Sequence, residues 1–83
     1  MKFTVYGKEN CSYCNSAKGL LERKGLEYDD LSVPTDVSKE KIQARITEAG
    51  SDHVVRSVPQ IFHGSTYVGG FKELVDYLAE IEV

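Results

Sequence analysis

The chain has 83 residues, 28% of them charged, a formal net charge of −3 and a pI near 5.3. This length makes one small domain, residues 1–83, with a modest core, and the acidic balance argues against nucleic acid or an anionic membrane as partner. Two cysteines allow at most one internal bridge, so a disulfide-stapled secreted scaffold is excluded.

Lys2 to Tyr6 is rich in β-formers and closed by Gly7, which predicts a buried strand. This apolar run is too short for a signal peptide, and no run approaches transmembrane length, so a cytoplasmic location is expected. Lys8-Glu9-Asn10 leads to the first helix, Ser12 to Lys24. Ala17, Leu20 and Leu21 are its apolar stripe, Arg23 and Lys24 suit its negative end, and Gly25 is a natural C′ residue. Gly19 lowers helix propensity by about 1 kcal/mol, for no reason visible in the sequence. Glu27 to Val33 predicts a weaker strand, whose Asp29 and Asp30 suit a sheet edge. A strand, a helix and a strand in so short a span make a βαβ unit with parallel strands.

Pro34-Thr35-Asp36 is turn material. The second helix spans Ser38 to Ala49, with Ser38 or Asp36 as cap, Ile42, Ile46 and Ala49 as a narrow apolar stripe, and Gly50 as its stop. Lys39, Lys41, Arg45 and Glu48 read as its solvated face. Ser51 to Ser57 is a polar loop, interrupted by Val58-Pro59. Gln60 to His63 and Thr66 to Val68 flank Gly64-Ser65 as an antiparallel hairpin. Gly69-Gly70 breaks the sheet, and Phe71, Leu74, Val75, Leu78 and Ile81 mark a last amphipathic helix. The order β-α-β-α-β-β-α predicts an α/β fold, a mixed four-stranded sheet flanked by three helices.

The chemistry lies at Asn10-Cys11-Ser12-Tyr13-Cys14. A Cys-x-x-Cys where a strand feeds a helix reads as a dithiol redox site. The first amides of a helix lack intrahelical acceptors and carry partial positive charge. With a helix starting near Ser12, the amides of Tyr13 and Cys14 point at the Cys11 sulfur and favour its thiolate, and Lys8 adds a full charge. Cys14, one turn on, is placed to attack a mixed disulfide formed at Cys11. An inert staple is disfavoured because so small a loop removes little chain entropy. A zinc site with His53 and His63 is disfavoured by the ligand spacing. Phe3, Tyr6 and Phe62 are core aromatics, and neither histidine is given a role.

Four segments carry a resemblance that spans nearly the whole chain: Tyr6-Gly7-Lys8, Cys11-Ser12-Tyr13-Cys14, Ser57-Val58-Pro59-Gln60-Ile61-Phe62 and Gly69-Gly70-Phe71. Together they resemble the glutaredoxins of the thioredoxin-like fold. The resemblance implies glutathione-dependent reduction of protein disulfides and glutathione mixed disulfides through Cys11 and Cys14. It implies a cis Val58-Pro59 peptide facing the cysteines, with the Val58 backbone paired to the cysteine of glutathione. Gly69 and Gly70 then allow close approach to the last helix, where the amides of Phe71 and Lys72 take the γ-glutamyl carboxylate. Lys8 and Arg56, and more weakly Arg45, are expected at the glycine carboxylate, and Tyr13 along the ligand.

Glutathione is then a co-substrate, with no tightly bound cofactor and no metal. The partners are disulfide-containing proteins, ribonucleotide reductase being a family-level example, and a monomer is expected. Two departures stand out. Ser12 replaces the family's common proline, which is expected to alter thiol pKa and reduction potential by capping the helix or donating to a sulfur; some serine-containing members hold a bridging iron–sulfur cluster. Lys72 stands where many members have an acidic residue for the γ-glutamyl ammonium, and Glu73 is a neighbouring substitute. The alternative functions are an iron–sulfur carrier and an electron donor dependent on thioredoxin reductase.

Overall fold

A computed structural model describes residues 2–81. The strands are β1 (Phe3–Gly7), β2 (Tyr28–Ser32), β3 (Gln60–His63) and β4 (Thr66–Gly69); the helices are α1 (Ser12–Arg23), α2 (Lys39–Glu48) and α3 (Phe71–Ile81). They follow the predicted order β-α-β-α-β-β-α. The sheet order is β2-β1-β3-β4. β1 pairs parallel with β2 and antiparallel with β3, and β3 pairs antiparallel with β4. β2 is therefore an edge strand, as its acidic pair predicts. Asp29 and Asp30 meet Lys2 and Lys18 at 3.4 and 3.0 Å.

Strand alternation divides the core in two. Phe3, Val5 and Ile61 face Ala17 and Leu21 of α1 and Leu74 and Leu78 of α3. Tyr6 and Phe62 point the other way, onto Ile42 and Ile46 of α2 and Val55. The result is three layers, with α1 and α3 on one side of the sheet and α2 on the other.

The helix ends follow the residue chemistry. Ser38 caps α2 through its Oγ, which accepts from the Lys41 amide at 3.2 Å. Asp36, the alternative cap, instead accepts from the Ser32 amide at 2.9 Å. Gly25 and Gly50 follow α1 and α2 at φ 69° and 90°, conformations that favour glycine.

Three expectations need correction. Ala49 is exposed at the C-cap of α2, because the helix ends one residue earlier than predicted and carries it off the core. Val75 and Ile81 are 44% and 49% exposed, so α3 buries a stripe narrower than its apolar residues. Gly69 belongs to β4: Ile61 pairs with Gly69 but Phe62 with Tyr67, a bulge that retains the glycine in the ladder.

Candidate active site

β1 carries the chain to one edge of the sheet, and Lys8 to Asn10 turn it into α1. Asn10 has φ 58°, a left-handed conformation that asparagine adopts more readily than most residues. Cys11 follows in extended conformation as the N-cap of α1. Its Sγ accepts from the Cys14 amide at 3.3 Å, the place a serine or aspartate oxygen takes in other helices. Of the two amides expected there, Cys14's makes the bond. The cap is thus the cysteine itself. Ser12 lies exposed at the first helical position, not at the cap, and proline is well tolerated at that position.

Cys11 and Cys14 are joined as a disulfide, with Cα atoms 5.2 Å apart. Their surroundings differ. Cys14 is 1% exposed, packed beside Gly7, where a Cβ would lie 3.0 Å from its Sγ. Cys11 is part-exposed, and its Sγ lies 3.8 Å from the Val58 carbonyl oxygen. Val58-Pro59 is a cis peptide, as the resemblance implies; Val33-Pro34 is also cis, which the turn reading did not anticipate.

A groove of about 660 Å³ runs from this point over the start of α3. Tyr13, Val58, Pro59, Gly70, Phe71 and Lys72 all line it, six of the predicted site residues in one place. Tyr13 is 65% exposed, with its ring 6.0 Å from that of Phe71. On the other side of Val58 a smaller cleft of about 200 Å³ brings Lys8 and Arg56 together with Lys39, which the sequence placed on a solvated face. Ser57 and Val58 line both, so the two adjoin as one track, cationic at one end, at the residue whose carbonyl oxygen lies 3.8 Å from the Cys11 Sγ.

Arg45 is not part of it. Its guanidinium donates to the Tyr6 hydroxyl and, at 3.1 Å, to the Gly64 carbonyl, and lies 4.2 Å from the Phe62 ring centroid. Those contacts tie α2 to the hairpin, and hold the cation on the opposite side of the sheet from α3.

At the far end, Glu73 bends back onto its own helix. Its Oε1 accepts from the Gly70 amide at 2.9 Å, the return half of a capping box. A Cβ on Gly69 would meet the Glu73 Cβ at 2.9 Å, so the glycine makes room for this fold-back. Glu73 also lines the groove, in the place where the sequence offered it as a substitute acid beside Lys72.

Sequence reasoning missed the parts that hold the loop. His53, Gln60 and Tyr67 line the groove too. His63 does not: it stacks on Phe3 at 4.2 Å and its Nδ1 is 2.7 Å from the Tyr77 hydroxyl. Among the described residues no three His, Cys, Asp or Glu side chains gather to hold a metal ion. Of the two sulfurs, Cys11 is the accessible one.

An N-cap sulfur at the head of a helix, a buried partner one turn on and a cis-proline loop across from them define a thioredoxin-fold dithiol oxidoreductase. Residues 3–68 match the glutaredoxin family model. Glutaredoxin 3 of Escherichia coli K12 is 37% identical over 70 residues, which cover 84% of this chain and 77% of that protein. The structure of reduced Escherichia coli glutaredoxin superposes with a TM-score of 0.78 at 29% identity, covering all of both chains. A buckwheat glutaredoxin–glutathione complex gives a TM-score of 0.72 at 25% identity, over 96% of this chain and 70% of that one. The chain belongs to the glutaredoxin family, and its cysteine pair is redox-active in thiol–disulfide exchange.

Proposed function

We propose that the chain reduces glutathione mixed disulfides and protein disulfides with glutathione as its reductant, Cys11 being the attacking sulfur. One observation carries this assignment. Cys11 is the accessible cysteine, capped by an amide and facing the Val58 carbonyl, whereas Cys14 is buried. Reduced, Cys11 sits where the helix amide favours its anion. Its thiolate attacks the glutathione sulfur of a mixed disulfide, forming a Cys11–glutathione bond. The departing thiolate takes a proton from solvent. A second glutathione thiolate then attacks the glutathione sulfur, yielding oxidised glutathione and restoring Cys11.

With a protein disulfide, Cys11 first bonds one substrate sulfur. Cys14, as thiolate, attacks the Cys11 sulfur, expels the substrate and leaves the Cys11–Cys14 bridge seen here. Two glutathione molecules supply the two electrons that reopen it.

The track on either side of Val58 suits a peptide with a carboxylate at each end. Lys8, Lys39 and Arg56 lie at one end, and the amides opening α3 at the other. The buckwheat family member in complex with glutathione supports the same ligand class.

Turnover of a glutathione mixed disulfide tests this directly. Cys11→Ser abolishes it, while Cys14→Ser retains it and loses only protein-disulfide reduction. Undiminished turnover in Cys11→Ser would remove Cys11 as nucleophile, and activity with thioredoxin reductase but none with glutathione would replace the reductant.

A further inference from the structure

Residues 51–59 form neither helix nor strand, so no backbone ladder fixes them. Two side-chain amides do it instead. Gln43 of α2 donates from Nε2 to the His53 carbonyl at 2.7 Å and accepts at Oε1 from the Val55 amide at 2.8 Å. Gln60, opening β3, holds the other end. Its Nε2 donates to the Ser57 carbonyl at 2.8 Å, and its Oε1 accepts from the Tyr67 hydroxyl at 2.5 Å.

Gln60 is the one buried polar side chain among the described residues, 3% exposed. Burying an amide is costly unless both ends find partners, and an apolar side chain would fill such a space at no such cost. The orientation is dictated: the Ser57 carbonyl only accepts, so nitrogen must face it, and oxygen must face Tyr67. Burial and the nearby charge of Glu73 push the Tyr67 phenol above its ordinary range, so it remains a neutral donor. The residue after Ser57 is Val58, whose carbonyl faces the Cys11 sulfur.

We propose that Gln60, its oxygen held by Tyr67, is a positioning residue for substrate, fixing the Ser57–Val58 backbone against which the cysteine of the incoming disulfide is laid. The inference rests on the function proposed above, in which that backbone binds the substrate peptide. Tyr67 gates nothing; its hydroxyl satisfies the amide oxygen once the Ser57 carbonyl has set the orientation.

The test compares wild type, Gln60→Leu, Gln60→Glu and Tyr67→Phe in two assays. One is steady-state turnover of a glutathione mixed disulfide; the other is alkylation of reduced Cys11 by iodoacetamide, a reagent with no peptide to position. Gln60→Leu raises KM about tenfold, with kcat and the alkylation rate within about twofold of wild type. Gln60→Glu, which turns an acceptor toward the Ser57 carbonyl, raises KM further. Tyr67→Phe shifts KM in the same direction by less.

An unchanged KM in folded Gln60→Leu overturns the proposal. So does a parallel fall in turnover and alkylation, which marks a general loss of structure. If Gln60→Leu does not fold by circular dichroism, Tyr67→Phe decides, its ring being retained. Failure of wild type with glutathione substrates refutes the proposed function instead. The same variants are then compared on insulin disulfides reduced by dithiothreitol, where the KM rise is again expected and its absence overturns the inference.

Discussion

Gly7→Ala probes the contact between the sheet and the second cysteine. The added Cβ would lie 3.0 Å from the Cys14 Sγ and 3.2 Å from its Cβ. Neither residue has an easy retreat. Cys14 is 1% exposed, and Gly7 is fixed by pairing with Ser32 and by the Val33 amide, which donates to its carbonyl at 2.7 Å. Overpacking a buried site costs about 1–3 kcal/mol. For a domain of this size each kcal/mol lowers Tm by about 4–8 °C, so a fall of roughly 10 °C is expected. Thermal melts of the reduced and the oxidised protein measure it separately. In turnover, the displaced Cys14 sulfur slows the protein-disulfide route, while the glutathione mixed-disulfide route, which needs Cys11 alone, is retained. Melting within about 1 °C of wild type in both redox forms would refute the packing argument, because a shift that small corresponds to well under 0.5 kcal/mol.

The same substitution at Gly19 has the opposite sign. A Cβ there meets nothing nearer than the Arg23 Nη1 at 3.9 Å, so Gly19→Ala stabilises by about 0.5–1 kcal/mol in urea unfolding. Glu73→Ala removes the carboxylate that caps the Gly70 amide and costs about 0.3–1 kcal/mol by the same assay, with Glu73→Gln, which retains the acceptor, costing less. Tyr28 donates its hydroxyl to the Glu22 carboxylate, which raises its pKa from 10.0 to about 12. Because the folded value lies above the unfolded one, this contact stabilises fully below pH 10 and is lost as pH rises through 12. Ultraviolet titration of the phenolates should show the Tyr28 step move down toward 10 in Glu22→Gln, and an unmoved step would rule out Glu22 as the cause.

Much of the fold was legible because the deciding information is local. Ala17 and Leu21 mark the buried face of α1, Ser38 its neighbour's start, and Gly25 and Gly50 the two stops, each through residue chemistry that acts within a turn. At the site, the Cys-x-x-Cys at a helix start was legible from local pattern, whereas the cis Val58-Pro59 peptide came from the family resemblance and the capping role of Cys11 from the structure. Long side chains were not legible. Arg45 and Lys39 occupy one helix with similar spacing and charge, yet one braces the hairpin and the other faces the cleft beside Arg56. Helical periodicity does not say which neighbour a flexible cation meets. Gln43 and Gln60 drew no role from the sequence, since no local pattern says which two groups an amide will bridge. The bulge at Gly69 depends on pairing with β3, which no local pattern encodes.

The two margins of the sheet are unlike the site. β2 carries Asp29 and Asp30, one on each face and each paired with a lysine, and β4 pairs with β3 through a bulge. Charged or irregular borders resist the sideways addition of another chain. The end of the sheet differs: β1 and β2, being parallel, finish together at Gly7 and Ser32, and Cys11 follows just beyond. Neither border of the sheet therefore competes with the end that carries Cys11 as a place for another chain to pair.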